Sequence, residues 1–116
     1  MDYIFIDEIE ARIRIGCTIK ERADPQKIRI SAKIFLPLFE AGKTGRLDST
    51  VDYADIISKV RTHVQNKEYV LLETLASEVA ELILSDDNAR AVQIEASKQI
   101  LDGVKRTGVS IYRENI

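Results

Sequence analysis

A basic nitrogen at the end of a buried strand face is the first candidate for chemistry in this sequence. Val92, Ile94 and Ala96 alternate with polar residues, and Lys98 has the same parity, so it extends that apolar face by one position. An amine placed there either lays its stem on the core and holds its ammonium in water, or it is kept in place to exchange protons with a bound molecule. Glu73 opens an apolar helical run, where the helix dipole favours a first-turn carboxylate by ~0.3–1 kcal/mol. Cys17 follows Gly16 with no Cys/His pairing suggested, and reads as a small apolar residue rather than a nucleophile. His63 sits in a helical pattern beside charged neighbours and reads as a surface position. With one cysteine and one histidine, the chain forms no internal disulfide, and a structural metal site is not expected.

The elements that must position these groups follow from periodicity. Ile9, Ala11, Ile13 and Ile15 alternate as a strand with one buried face, while Ile4 and Ile6 have the opposite parity, which predicts a bulge near Asp7 and Glu8. Ile28, Ile30, Ala32, Ile34 and Leu36 form a second strand, paired antiparallel with the first across the loop containing Glu21 and Pro25. After a polar connection with Gly42, Gly45 and Asp48, Tyr53, Ile57, Val60 and Val64 recur at helical spacing behind a candidate N-cap, Asp52. A turn at Asn66 and Lys67 leads to a second helix from about Leu71 to Leu84, with Leu72, Leu75, Ala76, Val79 and Ile83 on one face. A third strand (Val92, Ile94, Ala96), a loop with Gly103 and a fourth strand (Val109, Ile111) complete the order ββααββ. An α+β domain results: a four-stranded antiparallel sheet with both helices on one face.

Composition sets the limits. The 116 residues make a single domain, 1–116, with 45% hydrophobic and 31% charged residues and only seven Gly and Pro together, so no low-complexity tract is expected. A net charge of -2, with basic residues scattered among acidic ones, argues against nucleic acid. Asp2, Asp7 and Glu8 interrupt any leader-like start, and the longest apolar stretch, Ile34 to Phe39, contains Pro37 and falls far short of the roughly 20 residues that cross a bilayer. The expected setting is cytoplasmic, away from membranes.

Four segments together carry a resemblance. They are Ile15-Gly16 followed by Glu21-Arg22-Ala23-Asp24-Pro25-Gln26; Val51-Asp52-Tyr53-Ala54; Leu71-Leu72-Glu73-Thr74-Leu75-Ala76-Ser77-Glu78; and, more weakly, Ser97-Lys98 with Gly108-Val109-Ser110-Ile111. In order, spacing and placement they make the sequence similar to the dihydroneopterin aldolase family over nearly its whole length. The resemblance implies the T-fold, whose ββααββ unit agrees with the order above. It also implies a ring-shaped homo-oligomer, a tetramer or a stacked octamer, with active sites at subunit interfaces.

What the resemblance implies for chemistry is a cofactor-free lyase that cleaves 7,8-dihydroneopterin by retro-aldol reaction to 6-hydroxymethyl-7,8-dihydropterin and glycolaldehyde, a step of folate biosynthesis. Carried over residue by residue, Glu73 grips the guanidine-like edge of the pterin with its carboxylate, and the backbone at Leu72 adds hydrogen bonds. Tyr53 lies against the pterin from a neighbouring subunit with its hydroxyl near the side chain being cleaved, placed as a catalytic residue to shuttle the proton at C1′; Glu21 contacts substrate and organises a water, and Lys98 is the essential amine. Relatives usually have proline where this chain has Gln99, which implies a looser hold on Lys98 by the loop from Ile100 to Thr107. The same residues serve epimerases of dihydroneopterin or its triphosphate at C2′, for which Arg22, Lys105 and Arg106 would be the basic candidates. A non-catalytic pterin-binding ring protein is the remaining alternative.

Overall fold

The computed structural model describes residues 1–99 and 102–115. Strand β1 (Tyr3–Ile15) buries Ile6, Ile9, Ala11, Ile13 and Ile15. Between Ile6 and Ile9 its register against β2 (Gln26–Phe35) shifts, so that Asp7 and Glu8 together oppose Ser31. Glu8 has φ 54°, and its N–H donates to the Ser31 hydroxyl at 3.0 Å. The expected bulge is therefore present, and it is what moves the buried parity from Ile6 to Ile9.

A connection follows that contains a six-residue helix, α1 (Phe39–Thr44), closed by Gly45 in the left-handed region with its N–H on the Ala41 carbonyl. The helix lies in the stretch expected as a polar connection: with Gly42 inside its six residues and Gly45 directly after them, so short a helix shows no period. Helix α2 (Tyr53–Val64) starts as expected at Asp52, whose carboxylate accepts from the N–H groups of Ala54 and Asp55. Its buried row is Ile56, Val60 and Val64; Tyr53, placed by spacing on the core face, is 61% exposed, and Ile57 is half-buried.

The sheet has five strands among the described residues, in the order β3-β1-β2-β4-β5. This corrects the four-stranded expectation. The extra strand, β3 (Glu68–Tyr69), is two residues long and runs parallel to the end of β1, with Arg14 beside Glu68 and Ile15 beside Tyr69. No alternation can be read from two residues. Helix α3 (Leu72–Leu84) buries Leu75, Ala76, Val79, Ala80 and Ile83 against β4 (Ala91–Lys98) and β5 (Thr107–Glu114), while α2 packs on β1. Both long helices thus cover one face of an α+β sheet. No helix among the described residues is long and apolar enough to cross a membrane.

A polar knot ties α2, β3 and α3 together. Glu78 Oε1 lies 2.8 Å from His63 Nε2, accepts the Tyr69 hydroxyl at 2.9 Å, and lies 3.5 Å from Lys67 Nζ. His63 is therefore a half-buried partner of another helix, not the free surface position its local pattern suggested. The His63 hydrogen bond holds the Glu78 carboxyl below the ordinary range, helped by Tyr69 and Lys67 and opposed by partial burial. Burial, and then Glu78, push the Tyr69 hydroxyl upward, so it stays a donor.

Because the Glu78 value is depressed, its contribution to stability is complete above the ordinary glutamate value of 4.5 and is lost as pH falls through the lowered one. Urea midpoints measured from about pH 7 down to about pH 3 should fall less steeply for Glu78→Gln than for the wild type. Parallel curves would show that the knot carries no such linkage.

Candidate functional site

Register decides which residues can meet. Ile13 pairs with Gln26 and Arg29 with Ser97, so the end of β1, the start of β2 and the end of β4 lie at one end of the sheet. Lys98, opposite Thr107, is the last residue of β4 there. Its side chain is 11% exposed, and its Nζ lies 3.9 Å from Glu21 Oε2. That separation is too long for a hydrogen bond. Both groups therefore keep hydrogen-bonding capacity for a third one placed between or above them.

Glu21 begins a single helical turn, Glu21–Ala23, in the loop between β1 and β2. Its N–H donates to the Thr18 hydroxyl at 3.1 Å, and that hydroxyl lies 3.2 Å from Glu21 Oε1. Gln26 Nε2 donates to both the Ile15 and Glu21 carbonyls, at 2.7 and 2.9 Å, closing the loop on itself. Arg22 donates to the Gly16 carbonyl at 2.6 Å and sits 3.7 Å from Glu68, and Arg14 donates to the carbonyls of Arg22 and Ala23. Gly16 is required here: its φ is 150°, and an added Cβ would sit 2.9 Å from Glu21 Oε2 and closer still to the Glu21 Cβ. Thr18, Gln26 and Gly16 were not singled out as site residues. The Thr18-x-x-Glu21 spacing, a capping-box pattern, was the signal that could have found the first of them.

Leu72 and Glu73 open α3 three residues beyond Tyr69, whose carbonyl accepts the Gly16 N–H at 3.2 Å. This places the start of α3 at the same sheet end as Glu21 and Lys98. Glu73 is exposed, and α3 has no side-chain cap, so its first N–H groups are free of the kind of carboxylate that closes α2. Tyr53 is elsewhere. It shares a hollow with Ile4, Leu47 and Thr50, and Ile4 pairs with Ile34, which pairs with Val92. Six strand residues, about 20 Å, separate that level from Lys98. Within one chain Tyr53 does not meet the other three.

Cys17, expected as a small apolar residue, is exposed. The expectation that the loop from Ile100 to Thr107 grips Lys98 loosely falls partly outside the described residues, since Ile100 and Leu101 are not among them.

Residues 4–112 match the family model described as FolB: Dihydroneopterin aldolase. The chain belongs to the dihydroneopterin aldolase family. Dihydroneopterin aldolase of Escherichia coli is 32% identical over 116 residues, spanning 99% of this chain and 95% of the relative. The crystal structure of the E. coli enzyme in complex with neopterin superposes with a TM-score of 0.91 at 32% identity, covering 97% of this chain and 99% of that one. A dihydroneopterin triphosphate 2′-epimerase from Pseudomonas aeruginosa is 24% identical over 98 residues, 84% of this chain and 80% of its own.

Gly16→Ala should displace Glu21 from Lys98 and lower turnover about 10²-fold, the cost of misplacing a reacting group by around an ångström. Thr18→Ala, which removes one hydroxyl, should cost less. Steady-state rates of the two variants, read beside their melting temperatures, check the ordering.

Proposed function

We propose that this chain is a dihydroneopterin aldolase in which Lys98 and Glu21 handle the protons of a retro-aldol cleavage, with no cofactor. The observation that carries the assignment of roles is the covered Lys98 amine 3.9 Å from the Glu21 carboxylate, at the sheet end where α3 begins. The reaction removes the C2′ hydroxyl proton of 7,8-dihydroneopterin, breaks the C1′–C2′ bond to release glycolaldehyde, and returns a proton to C1′. The C6=N5 imine of the dihydropterin takes up the bonding electrons, so the substrate brings its own electron sink. The protein then supplies positioning and proton transfer. Lys98, directly or through a bound water, exchanges protons with the hydroxyl and N5, and Glu21 orients that relay. Glu73 accepts two parallel N–H groups from the pterin edge, and the uncapped backbone at Leu72 adds further contacts.

Tyr53 enters from a second copy, about 20 Å being too far for its own chain's site. A ring in which sheets join edge to edge provides that copy. The eight-residue edge strand β5 supports this arrangement, since an unpaired edge of that length is a template for another strand. A tetramer or an octamer would serve equally.

The epimerase relative supports a second activity, because the same groups can re-add glycolaldehyde with inverted geometry at C2′. A triphosphate substrate is less well provided for. Of the three basic candidates, Arg22 is engaged by the Gly16 carbonyl and Glu68, Arg106 Nη1 lies 2.7 Å from Glu95, and the exposed Lys105 is left as a single cation for three phosphates. The free triol is therefore the favoured substrate.

Incubation with 7,8-dihydroneopterin should yield glycolaldehyde. Lys98→Ala should cut turnover by about 10²- to 10⁴-fold with the fold unchanged, whereas Glu73→Ala should first raise KM. Tight pterin binding without any cleavage would instead support the non-catalytic reading. Mixing subunits of the inactive Lys98→Ala and Tyr53→Ala variants should restore activity in about a quarter of the interfaces, where an intact Tyr53 meets an intact Lys98. No recovery after subunit exchange would place both residues in one chain's site.

A further inference from the structure

Between α2 and α3 lies a short connector whose three central residues each reach a different part of the molecule. Asn66, with φ 65°, turns the chain out of α2, and the Lys67 N–H closes the turn on the Val64 carbonyl at 3.2 Å. The Lys67 carbonyl accepts the Arg14 N–H, and the Tyr69 carbonyl accepts the Gly16 N–H, both at 3.2 Å. Glu68 lies 3.7 Å from Arg22, the residue after Glu21. The connector thus forms a wall shared by the Glu21 loop on one side and the opening of α3, with Leu72 and Glu73, on the other.

The outer side of this wall is held by one carboxylate. Glu78 accepts the Tyr69 hydroxyl at 2.9 Å, meets His63 of α2 at 2.8 Å and lies 3.5 Å from Lys67 Nζ; Lys67 Nζ is also 3.1 Å from His63 Nε2. Tyr69 is buried, so its ring transmits that hold to its backbone and to Gly16. A carboxylate in the second turn of α3 therefore fixes both the segment that starts the same helix and the loop that carries Glu21. We propose that Glu78 is a positioning residue for pterin binding, acting through Tyr69 and Lys67 on the Glu21 loop and on the Leu72–Glu73 start of α3. This rests on the aldolase reading. Glu78 touches no substrate; it sets how well the two walls of the binding site are preorganised before the pterin arrives.

A residue that only holds the fold together would lower stability and leave the active fraction with ordinary kinetics. A positioning residue shifts KM in protein that is fully folded. Glu78→Ala should raise KM for 7,8-dihydroneopterin about tenfold, with kcat within about twofold of wild type. It should weaken neopterin binding by a similar factor, measured by fluorescence titration. Glu78→Gln, which keeps an oxygen acceptor for Tyr69, should recover most of the loss. Unchanged KM and neopterin affinity in folded Glu78→Ala would overturn the proposal, as would an equal fall in kcat for both variants. Should Glu78→Ala fail to assemble, the milder pair Tyr69→Phe and Lys67→Ala, combined in one chain, decides instead: a KM rise of about threefold supports the role, and wild-type kinetics overturn it. A wild-type chain with no turnover sinks the aldolase reading itself, whereas an active wild type beside an unaltered Glu78→Ala sinks only the role of Glu78.

Discussion

An amine taken out of water has to be compensated where it lands. Lys98 is largely covered at the end of β4, and the carboxylate that meets it comes from a loop 77 positions earlier in the chain. The contact therefore depends on everything that fixes that loop: the left-handed Gly16, the Thr18 hydroxyl under Glu21, and the Gln26 amide that bridges two carbonyls. It depends equally on the sheet register, because a slip of one residue between β2 and β4 would turn Lys98 to the opposite face. The bulge at Asp7 and Glu8 lets one strand keep a buried face on both sides of its irregularity and so keeps that register consistent from Ile4 to Ile15. Since the pair sits at 3.9 Å and not at hydrogen-bonding distance, the compensation is electrostatic and leaves donors and acceptors uncommitted. A directly bonded pair would have satisfied itself and had less to offer a substrate hydroxyl.

Much of this was legible in the sequence, for identifiable reasons. Long strands and helices declare themselves by period, so β1, β2, β4, β5, α2 and α3 were readable, as were the bulge and the Asp52 cap. Lys98 was readable because parity alone placed it on the buried face. What period could not supply was anything two residues long or anything held by contacts between elements. β3 has no alternation to show, and the partner that half-buries His63 is Glu78, fifteen residues on and in a different helix. Tyr53 illustrates the reverse error. Its spacing with Ile57, Val60 and Val64 is helical, yet the core takes the adjacent row through Ile56, and the aromatic ring remains outside. Glu21 needed the family resemblance, since a loop carboxylate carries no period at all.

That outward tyrosine bears on how the domain is used. Phe39, Leu47 and Tyr53 are exposed around the connection into α2, and Val70 and Leu71 are exposed at the opposite end, beside the start of α3. Apolar side chains at two separate ends of a small sheet leave water-facing area that the chain cannot bury against itself. Sheets joined edge to edge with a stagger, so that one end of a copy lies beside the opposite end of the next, would cover both patches at once, and such a contact repeated around an axis closes into a ring. Under the proposed assembly the same contact brings Tyr53 of one copy to the Lys98, Glu21 and Glu73 of another. Association and activity are then one event: the free energy that drives subunits together is spent at the place where substrate binds, and a dissociated chain keeps its proton-transfer pair but lacks the aromatic wall that completes the pocket. The polar knot around Glu78 lies just behind that junction, holding the connector that ends in Val70 and Leu71. Under the same proposal its rigidity would matter to the subunit contact as well as to the pterin, because a connector free to move would loosen both surfaces together.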